Sequence, residues 1–240
     1  MNGQAIYDRL FGPGAHTLTA AGLFLHGTAR IGTQEAAVIG TLDHAAINGA
    51  LSLRIAEAIL QAVRADAASG TPPRPILFIA DTQGQALSRH EELLGLNGYF
   101  AHVVRCVDLA RRQGHRLLTV ISGEAVSGGF LAYGMMADRI CALPNSQVRV
   151  MDLRAMSRVT KIGLERLEEL AQQSPVFAPG AENYWRMGGI HELWSEDDVW
   201  PERLAAALAC ASSLDDRAAT GLERGGRLLA AATAQIVANP

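Results

Sequence analysis

Two consecutive glycines, Gly128 and Gly129, separate two apolar runs of different character. The first run, Leu117–Ile121, has the length and composition of a strand buried on both faces, and the second, Phe130–Met136, has those of a helix. The first N–H groups of a helix have no intrahelical acceptor, and glycine lets a ligand oxygen approach them closely. The pattern therefore predicts main-chain amides that bind a carbonyl oxygen as it becomes anionic, which is the chemistry of an oxyanion hole.

A second candidate segment follows a strand of the same kind. Pro75–Ala80 is a continuous apolar run, and the polar, glycine-bearing stretch Asp81–Gln85 comes directly after it. A helix predicted over Tyr99–Gln113 separates this strand from Leu117–Ile121, so the two strands form a βαβ unit and pair in parallel. Their carboxyl ends then meet at one edge of the sheet, which is where ligands bind in α/β proteins.

Gly128 and Gly129 also have a purely structural interpretation. Two adjacent glycines let a helix cross close to a strand, whether or not a ligand binds there. Spacing alone does not separate the two interpretations. Two glycine-bearing loops predicted at one edge of one sheet, Asp81–Gln85 and Ser122–Gly129, favour a functional site, and we expect both to face a shared cavity.

The chain before this unit is predicted to form a smaller β region and a long helix. From Thr17 to Leu42, short β-like runs separated by glycines indicate an antiparallel meander that leads into the main sheet. Asn48 is a favourable N-cap for a helix that runs to about Ala68. Three polar side chains of this region could belong to a site, although isolated polar residues on strands usually face solvent: His26, Glu35 and His44.

The chain after Asp138 is predicted to extend the sheet and cover it. His191 is a candidate acid–base group or a structural histidine, and Gly188-Gly189 suits the end of a helix better than a site. The predicted elements are strands Arg139–Leu143 and Gln147–Met151, helices Ser157–Gln173, Tyr184–Ile190, Pro201–Ala211 and Ala218–Val237, and a break at Ser174–Gly180.

Composition excludes several classes of protein. A net charge of -3, without clusters of Lys and Arg, gives no footprint for nucleic acid, and no apolar run approaches the ~20 residues of a membrane span. Cys106, Cys141 and Cys210 lie in apolar surroundings without a CxxC pair, which predicts buried free thiols, a reducing compartment and no metal site. We expect one cytoplasmic domain over residues 1–240, whose helices at about 200–238 pack on the domain or on a partner.

Three segments together resemble the crotonase superfamily and, within it, the carboxyltransferase branch. The resemblance covers Pro75 to His191, extends to the family of malonate decarboxylase gamma subunits, and implies an α/β, crotonase-like (ClpP/crotonase) fold: a spiral of ββα units with covering helices. The order of a strand, an aspartate-x-proline-glycine loop, a helix, a strand and a glycine-glycine helix start is that of carboxyltransferase domains. The segments are FIADTQGQALSRHEELLG, VISGEAVSGGFLAYGMMADRI and ALPNSQVRVMD.

The resemblance implies site residues in two of these segments. It assigns the oxyanion hole to the step formed by Gly128, Gly129 and Phe130, through the amides of Gly129 and Phe130. Gln83 stands where the family has proline, so this loop departs from the family pattern. The amides implied to line the same cavity belong to Thr82, Gln83, Gly84 and Gln85.

The resemblance also implies a reaction and partners. The chain would be an enzyme subunit, active only in a heterodimer or larger complex with a homologous beta subunit. Together they would decarboxylate malonyl-S-acyl carrier protein to acetyl-S-acyl carrier protein and CO2. The thioester would be carried on the phosphopantetheine of an acyl carrier protein subunit or of CoA, with no tightly bound cofactor. Loss of CO2 leaves an enolate, whose oxygen two N–H donors would stabilise.

Other functions are distinguishable from this one. An enoyl-CoA hydratase or isomerase resembles the same stretch but needs a carboxylate at the position of Ala132, so its base is missing. A serine hydrolase acting through Ser122 or Ser127 would lack the G-x-S-x-G spacing, and a helix cap suits Ser127 better. A non-catalytic scaffold that stabilises the beta subunit, and a carboxyltransferase half that passes the carboxyl group to biotin, both stay open.

Overall fold

The computed structural model describes residues 3–173 and 178–238. Its strands are β1 Thr19–Ala21, β2 Phe24–Ile31, β3 Gln34–Thr41, β4 Ala45–Ile47, β5 Ile76–Gln85, β6 Leu117–Val126, β7 Arg139–Ala142, β8 Gln147–Arg149 and β9 Glu192–Leu193. Its helices are α1 Gly3–Phe11, α2 Gly49–Ser69, α3 Arg89–Leu93, α4 Leu96–Arg112, α5 Ser127–Leu131, α6 Leu153–Thr160, α7 Leu164–Gln173, α8 Ala181–Arg186, α9 Trp200–Ala209, α10 Arg217–Glu223 and α11 Leu228–Ala238, with a 3₁₀ turn over Gly134–Met136.

The strands form one sheet with an antiparallel beginning and a parallel centre. β1, β2 and β3 pair in antiparallel, which confirms the predicted meander. β3, β5, β6, β7 and β9 then follow side by side, and all four pairs between them are parallel. The predicted pairing of the two apolar strands is confirmed, with Ile76 opposite Leu117 and Ala80 opposite Ile121.

The two polar segments at the ends of these strands are not loops, so that prediction is wrong: Asp81–Gln85 is the end of β5, and Ser122–Gly129 is the end of β6 followed by the start of α5. β5 continues to Gln85 and β6 to Val126, with a register irregularity between Ala80 and Thr82. Beyond it β5 pairs with the short strand β4, and β6 pairs with β8. Polar composition indicated loops here, but pairing on both sides satisfies the backbone groups of a strand whatever its side chains.

Alternating side chains of β5 and β6 fill two separate cores. Ile76 and Phe78 face α2 and α4. The predicted N-cap of α2 is confirmed, because Asn48 accepts the N–H of Leu51 at 2.8 Å. Leu77 and Ile79 face the opposite side, against α1 and α9. Each fully buried apolar side chain of this size contributes about 1.5–3 kcal/mol, so the sheet is firmly held between two helical layers.

Several predicted helices are shorter than their patterns indicated. Ser157–Gln173 is divided into α6 and α7 at Lys161, whose φ is 64°. Ala218–Val237 is divided into α10 and α11 at Gly225, whose φ is 74°. The run Phe130–Met136 does not form one helix: it is shared between the end of α5 and the 3₁₀ turn. The predicted break at Ser174–Gly180 lies in part outside the described residues.

The cysteines divide into two groups. Cys106 and Cys141 are buried free thiols, as predicted, and burial raises the pKa of both. Cys210 is exposed after the end of α9, so its predicted burial is wrong. Within residues 3–173 and 178–238, no helix is both long and apolar enough to cross a membrane, and no cluster of His, Cys, Asp and Glu could hold a metal ion.

Candidate functional site

The backbones of Gly129 and Gly84 touch where α5 crosses the end of β5. A Cβ on Gly129 would lie 2.7 Å from the carbonyl carbon and 2.9 Å from the Cα of Gly84. Gly84 has a φ of 101°, and a Cβ there would lie 3.1 Å from the carbonyl oxygen of Val126. Neither position accepts a side chain without displacing backbone. The structural interpretation of Gly129 is therefore satisfied, and the same contact holds the first turn of α5 at the edge of the sheet.

The amides expected to bind an anionic oxygen lie in this first turn. α5 has only five residues, so its macrodipole is small and its N–H groups themselves must supply most of the positive potential. The N–H group of Gly129 is one of the first four of the helix, which have no intrahelical acceptor, whereas the N–H of Phe130 comes one residue later and faces the carbonyl of the N-cap residue Val126. No side chain caps the helix, and Ser127 has a φ of 51°, so the prediction of Ser127 as its cap is wrong.

The predicted substrate-binding segment lies beside these amides. Thr82 is buried, and its hydroxyl donates to the Ala45 carbonyl at 2.6 Å and accepts the N–H of Gly84 at 3.0 Å. The amide of Gly84 is therefore occupied within the segment. Gln83 is exposed, whereas the Oε1 atom of Gln85 is buried without a donor among the described residues and lies 3.4 Å from where a Cβ on Gly128 would be.

Buried aromatic rings fix the other end of α5. The ring of Phe130 is buried and would meet a Cβ on Gly134 at 2.4 Å, so Gly134 gives the ring its space. The hydroxyl of Tyr133 is 2.8 Å from that of Thr41, and complete burial raises the pKa of Tyr133. Ala132 is also buried, in agreement with the absence of a hydratase carboxylate at this position. These contacts tie the turn after the amides to the core.

A polar cluster near the same strands escaped sequence analysis. The carboxylate of Asp81 accepts the N–H of Glu124 at 2.9 Å and that of His44 at 3.2 Å, and it lies 3.0 Å from Nδ1 of His44. A Cβ on Gly123 would lie 2.4 Å from Asp81 Oδ1, so a side chain there would displace the Asp81 carboxylate. Glu124 also pairs with Arg149 at 2.9 Å. The sequence signal was Asp81, the first polar residue after a buried strand, but nothing in the sequence linked it to His44.

The other histidine and acidic candidates have structural contacts. His26 stacks on Phe24 with ring centroids 5.2 Å apart. Glu35 is exposed and pairs with Arg74 at 3.3 Å, and the imidazole of His44 is largely exposed as expected, although it contacts Asp81. Each of these side chains is thus accounted for without a ligand.

His191 is a structural histidine. Its Nδ1 accepts the N–H of Ile140 at 3.0 Å, and its Nε2 lies 3.4 Å from Asp216. Burial, followed by the charge of Arg139, lowers the pKa of His191, because the charged form loses its hydration and meets a like charge. A neutral ring that accepts a backbone N–H is suited to holding β7 in place.

Comparison with known proteins defines the family. Residues 44–240 match the family model described as the malonate decarboxylase gamma subunit. The malonyl-S-ACP:biotin-protein carboxyltransferase MADD of Malonomonas rubra is 33% identical over 249 residues, which cover 92% of this chain and 82% of that protein. A Pseudomonas malonate decarboxylase hetero-tetramer in complex with coenzyme A is 25% identical, with a TM-score of 0.82 over 98% of this chain and 97% of that one.

Two further structures place the fold. The Pseudomonas MdcD–MdcE hetero-dimer of malonate decarboxylase is 25% identical, with a TM-score of 0.77 over 97% of this chain and 96% of that one. Transcarboxylase 12S, at 17% identity and a TM-score of 0.67, shares the fold over 86% of this chain and 41% of its own length. The fold is therefore that of the crotonase-like carboxyltransferases. The chain belongs to the malonate decarboxylase gamma subunit family, whose members are subunits of decarboxylating and carboxyl-transferring enzymes.

Proposed function

We propose that this chain, paired with a homologous beta subunit, decarboxylates a malonyl thioester and that the amides of Gly129 and Phe130 form its oxyanion hole. The observation that carries the proposal is the contact between Gly129 and Gly84, which holds the first turn of α5 against the end of β5. It fixes the first turn of α5, which carries the N–H of Gly129 and leads directly to that of Phe130, before any substrate binds. Donors fixed in advance stabilise a developing charge without the cost of reorganising them.

The reaction needs little else from the protein. The bond between the α-carbon and the carboxylate breaks, CO2 leaves, and the electron pair stays on the thioester as an enolate. The enolate oxygen accepts the two N–H groups, and a proton added to the α-carbon then gives the acetyl thioester. One oxyanion-hole donor is worth about 10²–10³-fold in rate, so two donors account for a substantial part of catalysis.

The carrier of the malonyl group is proposed to be a phosphopantetheine arm on an acyl carrier protein subunit or CoA. The Malonomonas relative is named for malonyl-S-ACP, and the Pseudomonas tetramer was crystallised with coenzyme A. The buried Oε1 of Gln85 beside Gly128 supports this carrier, because a pantetheine arm brings amide N–H groups that could satisfy such an acceptor after a small side-chain shift. The segment Thr82–Gln85 would line the path of the arm, although the Gly84 amide is already bonded to the Thr82 hydroxyl.

A second candidate is transfer of the carboxyl group to biotin, because the Malonomonas relative is named as a biotin-protein carboxyltransferase. The same two amides would then bind the oxygen of the carboxyl acceptor. Mass spectrometry of the co-purified complex for a biotinylated subunit separates the two reactions. A biotin-free complex that releases CO2 from the malonyl thioester supports decarboxylation in place.

The amide role is best tested by changing one atom. Replacing Phe130 by its α-hydroxy acid converts the amide to an ester, so the N–H is lost while the ring remains. Turnover of the assembled complex should fall about 10²-fold, the scale of one lost donor. An ester at Leu131 is the matched control, because it lies beyond the two proposed donors. Equal turnover of the two ester complexes would leave this chain as a scaffold for the beta subunit.

A further inference from the structure

The 3₁₀ turn that follows α5 is held by three side chains, one on each of its carbonyl groups. Thr119 donates to the Gly134 carbonyl at 2.8 Å, Arg217 donates to the Met135 carbonyl at 2.8 Å, and Arg111 donates to the Met136 carbonyl. Thr119 lies on β6, and Arg111 lies on α4. Arg217 is different, since it lies 82 residues further along the chain, at the start of α10.

The guanidinium of Arg217 is oriented before it reaches the turn. It donates from Nε to Asp215 Oδ1 at 2.8 Å and from Nη2 to Asp215 Oδ2 at 2.6 Å, which is a two-point contact, and Nη1 then points to Met135. Hydrogen bonds from Arg217 lower the pKa of Asp215 to about 2, so the carboxylate is ionised across the physiological range. A planar guanidinium held at two points keeps its remaining donor in a fixed direction.

The helix that carries Arg217 is fixed in turn. A Cβ on Gly221 would lie 2.2 Å from the Met187 carbonyl oxygen, so α10 packs backbone to backbone on the end of α8. Arg224 donates to the carbonyls of Trp185 at 2.7 Å and Ile190 at 2.8 Å. Movement of α10 would therefore break the close contact at Gly221 and these part-buried hydrogen bonds, so α10 holds Arg217 in place.

We propose that Arg217 is a positioning residue for the amides of Gly129 and Phe130. Its bond to Met135 fixes the 3₁₀ turn, the turn holds Gly134 against the ring of Phe130, and that ring fixes the last residues of α5. The inference rests on the proposed function, because it concerns the geometry of the same oxyanion hole. It assigns a part of the site to the C-terminal region, far from the glycine motif in sequence.

The space around Arg217 allows its hydrogen bond to the Met135 carbonyl to be removed by mutation and replaced by a small cation. A cavity of about 360 Å³ lies beside the bond and is lined by Met135, Met136, Asp215 and Arg217. Truncating Arg217 would leave the Met135 carbonyl to water in this cavity, so the turn would lose one of its three side-chain restraints and keep those from Thr119 and Arg111. The cavity also has room for a small planar cation between Asp215 and the carbonyl.

The test uses Arg217→Ala in the assembled complex with the beta subunit. We expect kcat to fall between about tenfold and hundredfold with little change in KM, because misplacing a donor acts in the transition state. Hydrogen exchange in the peptide covering residues 127–137 should become faster. Guanidinium chloride at low millimolar concentration should restore part of kcat in this variant and not in the wild type, and Arg217→Lys should retain an intermediate kcat.

The matched control is Arg186→Ala, which removes an arginine that pairs with Glu182 at 3.4 Å on the surface of α8 and should leave kcat unchanged. Wild-type kcat and exchange in a folded, assembled Arg217→Ala complex would overturn the inference. If Arg217→Ala does not assemble, Arg217→Lys is used instead. A wild-type kcat and wild-type hydrogen exchange in Arg217→Lys overturn the inference, whereas a lowered kcat with faster exchange supports it. Loss of turnover in the Phe130 ester together with normal Arg217→Ala turnover refutes this inference and leaves the proposed function intact.

Discussion

α10 and α11 are neighbours in sequence and opposites in how they are supported. α10 packs backbone to backbone on α8, and its arginines donate to carbonyl groups of three other segments. α11 has no buried residue and exposes Leu228, Leu229, Ile236 and Val237, each by 65% or more. α10 is thus held by contacts within this chain, whereas α11 presents an exposed apolar surface of the kind that marks contacts between proteins. We therefore expect α10 to keep its place in the isolated chain and α11 to be covered by another surface.

The largest effect on turnover is expected from a change at the contact between Gly129 and Gly84. Gly129→Val places a branched side chain against the Gly84 backbone, so α5 must move, and turnover of the complex should fall about 10²-fold or more. Gly98→Ala on α4 is the control, because a Cβ there would meet no atom within 4 Å. Steady-state decarboxylation, together with thermal melting and co-elution with the beta subunit, provides the measurement. Normal turnover of a folded, assembled Gly129→Val complex would contradict a site in this chain.

The next prediction concerns the activity of this chain without its partner. The isolated chain should lack malonyl-thioester decarboxylase activity and gain it when a homologous beta subunit is added, since no acid–base side chain of residues 3–173 and 178–238 is bonded to the proposed amides. Assays of the single chain, the beta subunit and the mixture test this expectation. Full activity of the purified single chain would show that the partner is unnecessary.

Removing α11 should affect assembly more than folding. A chain ending at Gly226 loses only a helix without buried residues, so its melting temperature should change little, whereas its affinity for the beta subunit should fall at least tenfold if the exposed leucines contact that subunit. Leu228→Ser with Leu229→Ser is a milder form of the same change. Sedimentation or calorimetry measures the affinity, and an unchanged affinity would place the beta subunit on another surface.

A smaller effect is expected from the ring that supports α5. Phe130→Leu keeps the amide and loses only part of the packing around Gly134, at a cost of about 1 kcal/mol in stability. Turnover should therefore change far less than in Gly129→Val. Denaturant unfolding measures the stability, and a loss of turnover as large as that of Gly129→Val would show that the ring, and not the amide, is decisive.

The smallest effect is expected from pH at His191. Its pKa is lowered in the folded chain, so the unfolded state binds the proton first as pH falls below about 6.5, and stability is lost from there down to the folded pKa. Protonation also removes the acceptor for the Ile140 N–H. His191→Asn keeps an acceptor without titrating, so its melting temperature should decline less between pH 7 and pH 5. Parallel declines in both proteins would refute the assignment.

Sequence alone predicted the parts of the fold that depend on continuous apolar runs. The cores of β5 and β6, their parallel pairing and the helices α2 and α4 agree with the structure, because burial on both faces leaves a clear pattern. The ends of β5 and β6 were predicted as loops, since pairing with β4 and β8 depends on segments distant in sequence. Breaks at Lys161 and Gly225 were missed because the apolar spacing continues across them.

The site was predictable to the same limited extent. Glycine spacing located the step at Gly129, but its contact with Gly84 and the occupied amide of Gly84 follow from packing between distant segments. The links from Asp81 to His44 and from Arg217 to Met135 span 37 and 82 residues, and no local pattern reveals them. The local glycine signal indicated the proposed donors, whereas the side chains proposed to orient them lie far away in the sequence.

The uncovered helix α11 has a consequence for how the protein can be produced. Four large apolar side chains on one exposed helix are a surface on which copies of the chain can aggregate. A chain synthesised in excess over its partner would carry this surface uncovered and would be lost to aggregation or proteolysis. We therefore expect the soluble yield of this chain to depend on the synthesis of matched amounts of the two subunits.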